Sequence, residues 1–227
     1  MKYLKINVYI VVRMSFHHFA HDFVYWDTVE KHETIKNEIL PEIMKKNEER
    51  KNNPFDSSVF NTSFFRDNRM MSENAFLMKE HIINDVIFKP LTNMIKKYND
   101  LKINHIGPGI SIVQSGWWNL YEKNGFQEMH VHKSQPLVLD NRIFYPSFSV
   151  IYILNDESDD SNILFKKDHV PMTKPINDYT FKTSDEKNVR EGVVMIFPYD
   201  LNHMVIPCKK SGRVTLAYNI YSTWEAP

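Results

Sequence analysis

The chain has 227 residues, of which 42% are hydrophobic and 25% are charged, a composition typical of folded globular proteins and not of disordered ones. Lysine plus arginine and aspartate plus glutamate number 28 each, so the overall charge favours neither nucleic acid nor an anionic membrane as a partner. The single cysteine, Cys208, excludes an internal disulfide, and we expect a soluble cytoplasmic protein.

The first 65 residues contain two strand candidates and a group of histidines. Residues 3–15 are rich in β-branched and aromatic side chains, which favours a strand, and Lys5 and Asn7 interrupt the stretch too soon for a signal peptide. The histidines at positions 17, 18 and 21 have no acidic pair and are interpreted as a packed or surface turn. Residues 60–65 favour a short strand.

Two stretches of the first half have apolar residues at helical spacing, at about 27–50 and 72–95. Asp27–Thr28 is the candidate cap of the first helix. Pro41 and Pro90 are expected to kink or break the helices in which they lie.

From Gly107 onward the apolar pattern changes to the period of two that is typical of strands. Asn124–Gly125 is a strong turn signal. The predicted strands are 109–123, 129–132, 147–154, 162–165, 179–183, 193–197, 203–206 and 213–221. The sequence therefore predicts a mainly β (α+β) protein, with a sandwich or small barrel flanked by helices. We expect a single domain, 1–227, with strand and helices in 1–106 and the sheet-rich core in 107–222.

Three histidines form the clearest candidate metal site. His130 and His132 are one residue apart on a predicted strand, so their side chains point to one face. His203 follows a buried strand and a short turn and is the candidate third ligand. Three protein ligands are typical of a catalytic metal centre, although imidazole suits iron, zinc, copper and nickel alike. The alternative is two exposed strand histidines and an unrelated core histidine.

A basic residue follows the third histidine by ten positions. Arg213 begins an apolar strand, and Thr215 lies on the same strand face. An arginine that faces a small cavity binds a carboxylate through two parallel hydrogen bonds, and a threonine hydroxyl adds a third. The alternative for Arg213 is a surface salt bridge, but its offset from His203 favours an anion-binding site.

Several motifs in residues 107–222 occur together: Trp118-Asn119, His130-x-His132, Ser149–Leu154, Gly192-x-x-x-Ile196-Phe197-Pro198, His203 and Arg213–Asn219. Together they resemble the 2-oxoglutarate/Fe(II)-dependent oxygenases that are common in bacteria and phages. The family fold is a double-stranded β-helix, a jelly-roll barrel with helices packed outside one sheet. The resemblance covers roughly half of the chain, and the N-terminal half carries no motif that can be placed.

The resemblance implies roles for individual residues. His130 and His203 match the two metal histidines, and Arg213 matches the residue that pairs with the C5 carboxylate of 2-oxoglutarate. Thr215 would assist Arg213. The implied cofactors are Fe(II), 2-oxoglutarate and O2, with hydroxylation of a substrate and release of succinate and CO2. A phage-encoded protein would act in the host cytoplasm.

One position departs from the wider superfamily, in which the second ligand of the motif is a carboxylate. This chain has His132 there, which is the favoured third ligand, and Asp140 is the nearest candidate for a replacement carboxylate. Glu128 would lie on the same strand face and is a candidate hydrogen-bond acceptor for a ligand histidine.

The substrate is expected to be a small molecule or a protein or peptide side chain, because the sequence has no basic patch for nucleic acid. The candidate pocket-lining residues are Asn119, Tyr121, Tyr152 and Asn219. Trp117 and Trp118 are adjacent, so one is expected inside the barrel and the other towards the helices. Specificity is expected to reside in the loops 16–27, 52–71 and 135–145.

Three alternatives to a 2-oxoglutarate oxygenase stay open at this point. A zinc hydrolase or lyase would use three histidines and a bound water, but it leaves Arg213 unexplained. A cupin-type dioxygenase would use three histidines without 2-oxoglutarate. In a catalytically inactive binding barrel, His132 would mark the loss of activity.

Overall fold

The computed structural model describes residues 16–19, 22–50, 60–64, 73–100, 109–132, 135–157, 162–167 and 180–224. The strand predicted at residues 3–15 lies outside these ranges. Of the segments expected to determine specificity, residues 20–21, 52–59 and 65–71 also lie outside them.

The described residues form twelve strands, and all pairings between them are antiparallel. They are β1 (Phe16–Phe19), β2 (Asp22–Thr28), β3 (Asn61–Thr62), β4 (Gly109–Tyr121), β5 (Gln127–His130), β6 (Leu137–Leu139), β7 (Arg142–Asn155), β8 (Ile163–Lys166), β9 (Thr180–Lys182), β10 (Val193–Pro198), β11 (Asn202–Val205) and β12 (Arg213–Trp224).

The described helices all precede β4. They are α1 (His32–Arg50), α2 (Glu80–Ile83) and α3 (Lys89–Asp100), with a π-helical turn (Asn84–Phe88) joining α2 to α3. Single 3₁₀ turns occur at Ala75–Met78 and Thr183–Asp185. Within the ranges given above, no helix is both long enough and apolar enough to span a bilayer.

The strands build two sheets. The large sheet has the order β1-β2-β10-β7-β12-β4-β3, with β6 paired to β7, and the small sheet has the order β5-β11-β8-β9. Strands that are neighbours in space come from distant parts of the chain, as β12 between β4 and β7 shows. This crossing order is that of a jelly roll.

Side-chain alternation along the strands divides the core into two layers. On β7, Tyr152 belongs to the cluster that packs against the helices, whereas Ile151 belongs to the cluster between the two sheets. The adjacent tryptophans on β4 divide in the same way: Trp118 packs with the helix cluster, and Trp117 faces His132 inside the barrel. The predicted mainly β fold with helices outside one sheet is therefore confirmed.

The start of the first helix was predicted too early. Residues 22–28 form β2, which pairs with β10, and α1 begins at His32. Four consecutive buried side chains, from Phe23 to Trp26, show that this strand is covered on both faces. A continuously apolar strand has no alternation, so its pattern is easily assigned to a turn or a helix.

Neither proline ends a helix. Pro41 lies inside α1 on its exposed side, where the lost backbone hydrogen bond faces solvent. The π-helical turn ends at Phe88, two residues before Pro90, and accommodates the missing N–H at that position.

The segment 137–145, expected as a loop, is a hairpin of β6 and the start of β7. Its turn consists of Asp140 and Asn141, whose φ angles are 48° and 59°. Two consecutive positive φ angles define the tight turn that matches the twist of a hairpin, and Asn and Asp tolerate them well.

Candidate metal centre and arginine pocket

The small sheet brings the three histidines together. His130 is the last residue of β5 and pairs with His203 of β11, and their ring centroids are 4.2 Å apart. His132 lies just beyond the end of β5, with its ring 5.5 Å from that of His130 and 4.9 Å from that of His203. One nitrogen of each ring lies within 4.8 Å of the other two. The three imidazoles thus converge on one point.

Each of the three histidines uses its Nδ1 atom in a hydrogen bond to a carbonyl oxygen. The acceptors are Glu128 O for His130 (2.7 Å), Asn219 Oδ1 for His132 (3.0 Å) and Leu201 O for His203 (3.0 Å). A carbonyl oxygen only accepts, so Nδ1 carries the proton and Nε2 keeps a lone pair. This arrangement orients metal-binding histidines in many proteins.

Burial keeps the three imidazoles neutral. Desolvation lowers the pKa of His132 to about 4 and also lowers the pKa values of His130 and His203, the latter well below its ordinary value. Repulsion between neighbouring imidazolium charges lowers the pKa of His132 and His203 further. Neutral imidazole is the form that binds a metal ion.

These lowered pKa values predict that acid destabilises the metal-free protein. The folded pKa of His132 lies below its ordinary value of 6.5, so the unfolded chain binds more protons between about pH 6.5 and pH 4. The contribution of His132 to the free energy of unfolding is fully present above pH 6.5. It is lost as the pH falls towards 4, and the loss is on the order of 3 kcal/mol.

Urea unfolding of the metal-free protein at pH 7, 6 and 5, with a chelator present, measures this effect. The His132→Gln variant lacks the titrating ring, so its free energy of unfolding should fall less steeply between pH 6.5 and pH 4. Parallel profiles for the two proteins would show that His132 is not held neutral by burial.

The side chain of His203 fits a metal ligand for a further reason. It is 1% exposed, and its Nε2 atom has no hydrogen-bond partner among the described residues. An unsatisfied buried acceptor is costly, and a metal ion bound to this lone pair would remove that cost. The set of three imidazole donors suits Fe(II), Ni(II), Cu(II) or Zn(II).

Arg213 is a buried cation without an acidic partner in the described part of the chain. The residue is 1% exposed, its Nη1 faces Cys208 Sγ at 3.9 Å, and its guanidinium lies 5.7 Å from the ring centre of Tyr121. Its Nε and Nη2 atoms have no hydrogen-bond partner among the residues described. A buried guanidinium with free donors is suited to bind an anion.

We call the surroundings of this guanidinium the arginine pocket, defined by Arg213, Thr215, Tyr121 and Cys208. Arg213 and Thr215 are alternate residues of β12, opposite Tyr121 and Asn119 of β4. Asn119 Nδ2 donates to Thr215 Oγ1 at 3.4 Å, so Asn119 connects the arginine pocket to the cavity beside the histidines. Burial raises the pKa of Tyr121, which therefore stays a neutral donor.

A cavity of about 210 Å³ opens beside the histidines. Its lining consists of Phe60, Phe64, Trp117 and Val131, of the neutral polar residues Thr62, Asn119, Gln127 and Asn219, and of His130 and His132. Much of the polar lining is already hydrogen-bonded within the protein: Thr62 Oγ1 donates to Asn119 Oδ1 at 2.7 Å. The described lining carries no acidic or basic side chain apart from the imidazoles.

The structure places three of the four candidate pocket residues at or beside this site. Asn119 and Asn219 line the cavity, and Tyr121 contacts both the cavity residue Gln127 and Arg213. Tyr152 is on the opposite face of the large sheet, where its hydroxyl meets His32 Nδ1 at 2.6 Å. The prediction that Tyr152 lines the pocket is wrong. Successive side chains on β7 point to opposite faces of the sheet, and the side chain of Tyr152 points towards α1.

The two acidic candidates also lie elsewhere. Asp140 is exposed in the β6–β7 turn and is not among the described groups that converge with His130 and His203. The side chain of Glu128 is exposed, and it is its backbone carbonyl that accepts from His130. The geometry therefore brings His132, and not Asp140, into the position of a third ligand.

Sequence patterns did not reveal Gln127 as part of the site, and for the site they indicated residues 60–64 only as part of the expected specificity segment 52–71. Phe60 stacks on Tyr121 with ring centres 5.3 Å apart, and Phe64 meets Trp117 edge-on at 5.1 Å. These contacts join residues more than 50 positions apart in sequence, so no local pattern signals them. The sequence indicated a role for Gln127 only through its position three residues before His130.

Solved structures with the same fold support the architecture. HygX from Streptomyces hygroscopicus, crystallised with nickel and 2-oxoglutarate, aligns with a TM-score of 0.50 and 11% identity over 87% of this chain and 81% of that one. AviO1 from Streptomyces viridochromogenes Tue57 aligns with a TM-score of 0.50 and 11% identity over 91% of this chain and 92% of that one.

A more partial similarity is to an oxidoreductase of the 2OG-Fe(II) oxygenase family from Burkholderia pseudomallei, with a TM-score of 0.39 and 17% identity over 62% of this chain. The alignment spans 56% of that protein. The sequence matches no protein-family model and no curated protein. From the two fuller alignments, the chain has the double-stranded β-helix fold found in 2-oxoglutarate/Fe(II) oxygenases.

Proposed function

We propose that this protein is an Fe(II)- and 2-oxoglutarate-dependent dioxygenase that hydroxylates its substrate and releases succinate and CO2. One observation carries the proposal: three neutral imidazoles converge in the same barrel as a buried guanidinium with free donors. The two sites are linked by contacts through Tyr121 and Gln127, and a metal site joined in this way to an anion site matches the two ends of a chelating dicarboxylate.

Each residue of the site has a role in this proposal. His130, His132 and His203 would hold the iron through their unprotonated Nε2 atoms, and iron bound there would supply the activation of O2 that accompanies decarboxylation of the co-substrate. Arg213 binds the C5 carboxylate of 2-oxoglutarate, and Thr215 adds a hydroxyl donor. The buried barrel wall excludes water and fixes the position of the substrate relative to the metal.

The charge of the site favours a dianionic co-substrate. Three neutral imidazoles leave the full double positive charge on a bound divalent metal, and Arg213 adds one more. The described cavity lining contributes no carboxylate. A ligand with two carboxylates would offset most of this buried charge, whereas a neutral ligand would leave it uncompensated.

The substrate group that reaches the metal is proposed to be uncharged. Phe60, Phe64, Trp117 and Val131 supply an apolar wall, and a charged group placed against it would lose its hydration without a partner. Small molecules and side chains of peptides both satisfy this condition.

The ligand set favours a second candidate function. Three histidines without a carboxylate are also the ligands expected of a metal enzyme that does not use 2-oxoglutarate. That candidate would leave the buried Arg213 donors without a ligand, which is why the first function is preferred.

Anaerobic titration tests the proposal. Addition of 2-oxoglutarate to the Fe(II)-loaded protein should produce a weak visible charge-transfer band that saturates at one equivalent, followed by oxygen uptake coupled to succinate formation on exposure to air. A metal-loaded protein with no band and no 2-oxoglutarate binding would contradict the proposed function and favour the second candidate.

A further inference from the structure

The side chain of Gln127 bridges the metal centre and the arginine pocket. Its Oε1 atom accepts a hydrogen bond from the Tyr121 hydroxyl at 3.0 Å, and its Nε2 atom lies 3.1 Å from His130 Nε2. His130 carries its proton on Nδ1, which is bonded to Glu128 O. Gln127 is therefore the donor to His130, and its amide orientation is fixed at both ends.

This hydrogen bond uses the lone pair that a metal ion needs. His130 Nε2 can accept from Gln127 or bind a metal, but one lone pair does not do both. When the metal is bound, the Gln127 amide nitrogen loses its acceptor. The amide nitrogen must then swing away from the metal position, pivoting about the oxygen that Tyr121 holds, and its N–H group faces the cavity, which Gln127 lines.

Tyr121 links the Gln127 amide to Arg213. Its ring lies 5.7 Å from the guanidinium of Arg213, and Phe60 stacks on the same ring with ring centres 5.3 Å apart. Tyr121 is completely buried, so its hydroxyl has little freedom to leave Gln127. A continuous set of contacts therefore runs from Arg213 through Tyr121 and Gln127 to His130.

We propose, resting on the proposed function, that Gln127 is a positioning residue for the co-substrate: it caps His130 in the metal-free protein and, once metal is bound, donates its amide hydrogen to a 2-oxoglutarate oxygen beside the metal. Tyr121 holds the amide in the orientation that makes this donation possible. Gln127 thus contributes to co-substrate binding without being a metal ligand.

Replacement of Gln127 by methionine tests this role, because methionine has a similar volume and cannot form either hydrogen bond. In the nickel-loaded protein the Gln127→Met variant should bind 2-oxoglutarate about tenfold more weakly, the cost of one hydrogen bond to a charged oxygen. Its affinity for Ni(II), measured by competition with a chelator, should not fall and should rise a few-fold, because the metal no longer has to displace the Gln127 hydrogen bond from His130 Nε2.

The Tyr121→Phe variant supplies the matched control, since it frees the amide of Gln127 but keeps the ring under Arg213. Like Gln127→Met, it should weaken 2-oxoglutarate binding. The double variant should bind 2-oxoglutarate no more weakly than Gln127→Met alone, because both changes remove the same interaction. Calorimetric titration of the nickel-loaded proteins measures all four affinities.

Each contrary outcome has a distinct meaning. A parallel loss of nickel and 2-oxoglutarate affinity in Gln127→Met would show that Gln127 only supports His130, and would overturn the inference. Unchanged 2-oxoglutarate affinity, or fully additive effects of the two changes, would overturn it as well. If wild-type protein loaded with nickel does not bind 2-oxoglutarate, the proposed function fails and this inference fails with it.

Discussion

Replacing Arg213 with methionine should weaken the binding of 2-oxoglutarate by on the order of a thousandfold and leave metal binding nearly unchanged. The guanidinium is the one cation placed in the arginine pocket, and each charge-assisted hydrogen bond that it loses is worth about 1.5–3 kcal/mol. Calorimetric titration of the nickel-loaded variant with 2-oxoglutarate gives the affinity, and chelator competition gives the metal affinity.

The Arg213→Met substitution, which weakens 2-oxoglutarate binding, should nevertheless stabilise the metal-free protein. Arg213 is 1% exposed and has two nitrogen atoms without a described hydrogen-bond partner, so an apolar side chain of similar length should raise the thermal unfolding midpoint. Arg213→Lys is the matched control: it keeps the charge but not the planar fork and should bind 2-oxoglutarate with intermediate affinity. Lower stability together with unchanged 2-oxoglutarate binding would identify Arg213 as a structural residue.

Replacing His203 with alanine should abolish stoichiometric metal binding. His203 contributes one of three converging nitrogen atoms, and loss of a direct ligand costs more than the roughly 10–100-fold that loss of an outer hydrogen-bond partner costs. Metal content after anaerobic reconstitution and desalting measures the effect.

A histidine outside the site provides the control for this experiment. His81 is exposed and pairs with Glu38 on the helical side of the molecule, so His81→Ala should retain one metal ion per chain. Full metal content in His203→Ala would remove His203 from the site, and loss of metal in both variants would point to a global effect on folding.

The parts of the site that lie within one strand could be predicted from sequence. Strand alternation predicts that Arg213 and Thr215 share a face, and both side chains are buried in the structure. The spacing of His130 and His132 gave the right convergence, although β5 ends at His130 and His132 follows it. Local geometry was sufficient for these residues.

The pairing between distant strands could not be predicted from local patterns. His203 was identified as a candidate ligand from its place after a buried strand and from the family resemblance, but no local pattern gave the register that places it opposite His130. The same limitation explains the error at Tyr152, since alternation gives two faces but does not say which one is inside. It also explains why Gln127 was missed as a site residue, and why the expectation for 52–71 singled out no individual residue of the β3 segment.

A crystal structure of the nickel- or iron-loaded protein, with anomalous scattering used to locate the metal, tests the central claim most directly. We predict one ion bonded to Nε2 of His130, His132 and His203, and a 2-oxoglutarate carboxylate on the Arg213 guanidinium when the co-substrate is added. An ion held by other residues, or a carboxylate bound away from Arg213, would contradict this account.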